Sequence, residues 1–188
     1  MSLQFYKRRK KIKLSLINEI FVWLIGIVVS IFLAGFIVFT VGVRVNVVGN
    51  SMSPILSDND TILINTMMYN LREPKSGEVI AFLPNGNTSS HYYVKRVVAV
   101  SGDTIIIKDG LIYVNDEIYK GNYVEIKEPG IAESEITLGK NEYFVIGDDI
   151  NNSEDSRSGN IGLVERDTIL GKVWLRLKND ENILKYIK

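Results

Sequence analysis

Cysteine is missing from this 188-residue chain, which excludes a thiol nucleophile, a zinc-thiolate centre and any disulfide framework. Histidine occurs once, at His91, so a Ser-His-Asp hydrolase would have to rest on a residue with no supporting motif around it. Net charge is also missing: 22 basic side chains balance 22 acidic ones, and a chain without basic excess is a poor nucleic-acid binder. No internal repeat, low-complexity tract or long linker is visible, which argues against a second large domain.

The most prominent feature present is a run without charge from Ile20 to Val43. Its 24 residues would span roughly 36 Å as a helix, enough to cross a hydrocarbon core of about 30 Å. A cleavable secretory signal would carry a shorter apolar stretch and a small-residue cleavage site, neither of which is found here. The basic residues Lys7, Arg8, Arg9, Lys10, Lys11 and Lys13 precede the run. By the positive-inside rule residues 1–19 are then a cytoplasmic tail, 20–43 a transmembrane helix and 44–188 an extracytoplasmic domain.

Beyond the helix, short β-branched and aromatic runs predict strands over Thr61–Ile64, Glu78–Phe82, Tyr92–Val100, Thr104–Lys108 and Tyr143–Ile146. Turn dipeptides at Asp109-Gly110 and Asn115-Asp116 make Ile105–Tyr119 a compact meander. Helical turns are expected only within Asn65–Leu71 and at the lysine-bearing C-terminus. The domain is mainly β.

Three clusters carry potential chemistry. Gly49-Asn50-Ser51-Met52-Ser53-Pro54 is a small-residue turn in which Ser51 is either a turn serine or a nucleophile. Lys95 and Arg96 interrupt an apolar strand, and alternation aims them in opposite directions, so one of them points to the apolar side. A lysine there finds a partner or loses its proton, which is how a lysine becomes a base; the bland reading is a side chain reaching out to the surface. The third cluster, Gly147 to Gly159, is a polar loop directly after a strand, where sites are commonly placed. Its acids could also suggest a calcium loop, but the spacing does not follow the EF-hand pattern.

In this order the three clusters resemble the conserved boxes of type I signal peptidases, in the single-span form of Gram-positive bacteria. The resemblance runs from the anchor to about Leu177. It implies an all-β, barrel-like catalytic domain with an inserted β-ribbon, of the kind shared with self-cleaving SOS repressors. It further implies Ser51 as nucleophile, Lys95 as general base and Ser153 as the hydroxyl that orients the lysine amine. Asp148 with Arg96, and Asp155 with Arg157, correspond to ion pairs that hold the site, and Met52 to an apolar neighbour of the nucleophile. The Ser51 N–H, helped by Gly49, would supply the oxyanion hole. No metal or cofactor is implied. The implied substrates are secreted preproteins with signal peptides, small at the first and third positions before the cut. They would be cleaved at the outer membrane surface, since only a few extended residues separate Val43 from Ser51. The alternative is a non-catalytic or specialised family member in surface-protein or pilus assembly; the DNA-binding repressors are excluded by the membrane helix. Ile55, Glu78, Ala99 and Asp149 depart from the usual boxes and bear on the shape of the site's rim. His91 lies about 13 Å along a strand from Lys95 and is expected at an exposed strand edge.

Overall fold

The computed structural model describes residues 14–87, 91–121, 125–177 and 184–187, so the basic N-terminal cluster falls outside it. Two units are distinguished, residues 1–40 and 41–188. Helix α1 spans Leu14–Val41, and within it Asn18–Phe36, of mean hydropathy 2.4, is long and apolar enough to cross a membrane. Its single hydroxyl in that stretch is satisfied internally, Ser30 Oγ donating to the Gly26 carbonyl at 2.8 Å, as a hydrocarbon setting demands.

The second unit is antiparallel β. Strands β1 (Gly42–Asn46), β2 (Thr61–Asn65), β3 (Val79–Phe82), β4 (Tyr93–Ala99), β9 (Glu142–Ile146), β10 (Val164–Glu165), β11 (Ile169–Leu177) and β12 (Leu184–Tyr186) form one curled sheet. Its order is β1-β2-β11-β3-β4-β9-β10, with β12 beside β11. Between β4 and β9 the chain inserts a smaller sheet of β5 (Thr104–Lys108), β6 (Leu111–Val114), β7 (Glu117–Ile118) and β8 (Ile136–Thr137), in the order β7-β6-β5-β8. This is the expected ribbon. Asp109, Gly110, Asn115 and Asp116 all have positive φ, the left-handed conformation that tight two-residue hairpin loops require.

Strands β3 and β9 of the large sheet lack polar alternation because both of their faces are covered. In β3, Val79 and Ala81 join one apolar cluster with Met52, Leu56, Ile64 and Val94, while Ile80 and Phe82 join another with Val97, Tyr143 and Val145. The Val, Leu, Ile, Met and Phe side chains among these each contribute about 1.5–3 kcal/mol on burial. Gly171 lets β11 and β2 approach, since a Cβ there would meet the Asn65 carbonyl oxygen at 2.3 Å.

Three expectations change. Gly42 and Val43, the end of the uncharged run, are not helical but pair with Asn65 and Ile64 in β1 and β2. The C-terminus is not a helical turn: Leu184–Tyr186 pairs with β11, and the partner strand together with burial of Ile187 at 2% exposure outweighs local propensity. Glu78 precedes β3 instead of opening it. Its buried carboxylate accepts from the Tyr69 hydroxyl, both Arg72 Nη atoms, the Lys75 amide and Lys172 Nζ at 2.5–3.2 Å. Burial alone would raise its pKa, but the hydrogen bonds from Arg72 and Lys172 hold it down at about 2.

Candidate active site

Ser51 sits in the turn that follows β1, and Lys95 in the first half of β4, where the β9 side of the strand carries no ladder partner until Arg96. This gap lets the loop after β9 come alongside. Lys95 Nζ lies 2.7 Å from Ser51 Oγ and 3.0 Å from Ser153 Oγ. The Lys95 residue is only 3% exposed, and its amine stands 5.8 Å from the centroid of the Tyr93 ring. Burial disfavours its ammonium form and brings the pKa from 10.5 to about 8. The charges of Asp155 and Glu154 oppose that fall and Arg157 adds to it.

Arg96, one position on, meets a different partner: its Nε and Nη2 donate to the two Asp148 carboxylate oxygens, both at 2.7 Å, and its Nη1 to the Gly77 carbonyl at 2.7 Å. Asp155, at 1% exposure, takes Arg157 Nε at 2.8 Å and Nη2 at 2.9 Å, and also the Gly147 amide at 3.1 Å. Arg157 Nη2 further donates to the Ile150 carbonyl. Bidentate pairs of this kind fix direction as well as distance, so both ends of the loop from Gly147 to Arg157 are clamped. These pairings also occupy Asp148 and Asp155, which a calcium loop would need free. Among the described residues no three His, Asp or Glu side chains are grouped to hold a metal ion.

Gly147 is where the loop and the Ser51 turn touch. The Asp149 amide donates to the Ser51 carbonyl at 3.0 Å, and a Cβ on Gly147 would lie 2.2 Å from Ser153 Oγ and 2.5 Å from the Ser51 oxygen. Any side chain would therefore push the two serines apart. Met52 is 1% exposed and packs into the core with Val47, Leu56 and Val94, which anchors the turn from beneath.

Gly49 does not offer the donor expected of it. Its amide donates to Asp58 Oδ1 at 2.7 Å, while the Asp58 amide donates to Asn50 Oδ1 at 3.2 Å. Its part is to shape the turn, with φ of +83°. The Ser51 N–H has no acceptor among the described residues.

Ser51 and Lys95 open on a cleft of about 260 Å³ lined also by Val47, Val48, Tyr92 and Tyr93, with His91 and Glu154 at its exposed edge. His91 is exposed as anticipated, but it precedes β4 by two residues and does not lie on the strand. The cleft-lining role of Val48, Tyr92 and Glu154 was not foreseen, because apolar alternation and a loop acid carry no signal of what they face. Asp58 was equally silent, lying in what reads as an ordinary turn.

Comparison with known proteins gives a consistent picture. A family profile described as "Signal peptidase, peptidase S26" matches residues 20–178. Signal peptidase IB of Staphylococcus aureus (strain COL) is 33% identical over 179 residues, covering 85% of this chain and 90% of its own. A probable signal peptidase I-2 of Synechocystis is 29% identical over 150 residues, covering 74% and 67% respectively. A crystal structure of a signal peptidase I from Enterococcus faecalis V583 superposes with a TM-score of 0.41 at 22% identity, over 54% of this chain and 97% of that one.

Proposed function

This chain belongs to the signal peptidase S26 family, and from that premise we propose that it is a membrane-anchored serine endopeptidase removing signal peptides from secreted preproteins. Ser51 is the nucleophile and Lys95 the general base. The observation that carries this reading is the buried Lys95 amine 2.7 Å from Ser51 Oγ. A base must be within hydrogen-bond reach of the proton it takes, and its pKa must lie near the working pH; about 8 meets the second condition.

As Ser51 Oγ attacks the scissile carbonyl carbon, its proton passes to the neutral Lys95 amine, giving a tetrahedral oxyanion that accepts from the Ser51 N–H. Collapse expels the amine of the mature chain, which takes the proton back from the Lys95 ammonium. Water, deprotonated by the same amine, then attacks the acyl ester, and as the ester C–O bond breaks the Lys95 ammonium returns the proton to Ser51 Oγ. Ser153 orients the amine between these steps. The open edge of β4 from Tyr93 to Lys95 suits an extended peptide added as a strand. The α1 helix anchors the enzyme, with the basic N-terminal segment in the cytoplasm.

The test is cleavage of a panel of preproteins by the purified full-length protein in detergent or vesicles, with N-terminal sequencing of the products. Cuts after small-x-small segments at the end of an apolar stretch are expected; a panel left entirely intact would refute the reading. Ser153→Ala should lower kcat by about 10- to 1000-fold with little change in KM, because it misaligns the amine without touching the peptide's own contacts.

A further inference from the structure

Glu154 is the one acid of the 147–157 loop whose carboxylate is left at the cleft. Asp148 is engaged by Arg96 and Asp155 by Arg157, and Asp149, whose carboxylate has an equally long contact from Asn152 Nδ2 at 3.4 Å, is not among the residues lining the cleft. Glu154 forms no ion pair among the described residues; its hydrogen bond is a long one, from Asn160 Nδ2 at 3.4 Å, near the limit of what counts as a bond. Its backbone is nonetheless held on both sides. Ser153 before it lies 3.0 Å from the Lys95 amine, and Asp155 after it is fixed by the Arg157 fork and the Gly147 amide. The side chain is exposed and lines the same cleft as Ser51 and Lys95, and its charge is felt at the Lys95 amine.

An anion whose backbone is clamped next to the Ser51–Lys95 pair is a selector of charge. Before it takes the Ser51 proton Lys95 does not neutralise that charge, because the working form of the amine is uncharged, and apart from His91 at the exposed edge the remaining wall of the cleft is mostly aliphatic and aromatic. When an extended peptide covers the cleft and excludes water, attraction to a cation and repulsion of an anion both strengthen.

We infer that Glu154 is a specificity-determining residue that favours substrates carrying a lysine or arginine within a few residues of the cleavage site and disfavours those with an acid there. The inference rests on the assignment of Ser51 and Lys95 as the catalytic pair. It distinguishes this enzyme's substrates by charge, in addition to the small side chains that the family resemblance implies.

The test uses the full-length protein and peptides identical except for lysine, norleucine or glutamate at one position, scanned from three residues before the cut to two after it. In the unaltered enzyme, kcat/KM should favour lysine over glutamate by about 3- to 10-fold at one or more positions, the range expected of a partly solvated charge pair, and the ratio should shrink as salt is raised. Glu154→Gln should bring that ratio close to one, Glu154→Asp should keep its direction, and Glu154→Lys should reverse it. Equal rates for lysine and glutamate peptides at every position, or a preference that survives Glu154→Gln, would overturn the inference. Cleavage of the norleucine series separates the two readings: if even these peptides stay intact, it is the peptidase assignment that fails.

Discussion

Ser51→Ala is expected to reduce preprotein cleavage by at least about a thousandfold while leaving the protein folded. The size of the effect follows from what the hydroxyl does in the proposed reaction. Without Oγ no acyl ester forms, and the Lys95 amine has no oxygen to activate except that of a stray water. The structural cost is small by contrast, since Ser51 is partly exposed and the turn is held through other atoms. The Ser51 carbonyl still receives the Asp149 amide at 3.0 Å, Met52 remains buried, and Asp58 still grips Gly49 and Asn50. Circular dichroism and the thermal midpoint should therefore stay within the range of ordinary surface substitutions, about 0.5 kcal/mol. A labelled acyl-enzyme trapped from the unaltered protein at early times, and absent from Ser51→Ala, would identify the atom. Cleavage by Ser51→Ala near the unaltered rate would remove Ser51 from the mechanism.

Strands were legible in the sequence where both faces are buried or where a turn dipeptide delimits them. The apolar segment at Val79–Phe82 and the Asp109-Gly110 and Asn115-Asp116 turns need no tertiary knowledge to be recognised. The final strand was not legible, because Leu184–Tyr186 is short and charged beside Lys185, and its conformation is set by β11, a partner that pattern alone does not reveal. Lys95 and Arg96 show both situations at once. Alternation announced that the two would point apart, yet nothing in the strand itself specifies that Asp148 receives one and Ser153 the other. That assignment came with the resemblance of the whole loop. Gly49 shows its limit: the position fits a conserved turn, but Asp58, nine residues on, takes the amide that would have made it an oxyanion donor. Glu154 is a further case, since an acid between Ser153 and Asp155 looks like any solvated loop residue until the clamps on both neighbours are seen to leave it at the cleft.

The largest effect expected besides that of Ser51 belongs to Lys95, and it separates a base from a mere positive charge. Lys95→Arg should be as inactive as Lys95→Ala, because arginine preserves the charge but does not release a proton near neutral pH; His91→Ala should by contrast retain cleavage, since His91 lies at the exposed edge of the cleft and among the described residues no hydrogen bond joins it to Ser51 or Lys95. The groups acting on the amine are Ser51 and Ser153 by hydrogen bonding, and Asp155, Glu154 and Arg157 by charge. With a folded pKa of about 8, the neutral, working amine gains population as pH rises through 8, so kcat/KM should fall progressively below that value and level off above it. The same desolvation has a consequence for stability with a definite sign. The unfolded chain holds the Lys95 proton up to its ordinary pKa of 10.5 while the folded one gives it up at about 8. Between these values the unfolded state binds more protons and stability from this group rises with pH; below 8 the buried ammonium is a cost on the order of 3 kcal/mol. Lys95→Met, which fills the same apolar space without charge, should therefore raise the thermal midpoint at pH 7 while abolishing cleavage. An active Lys95→Arg enzyme, or a Lys95→Met protein less stable than the original at pH 7, would show that the lysine serves as a structural cation and that the base must be sought elsewhere in the cleft.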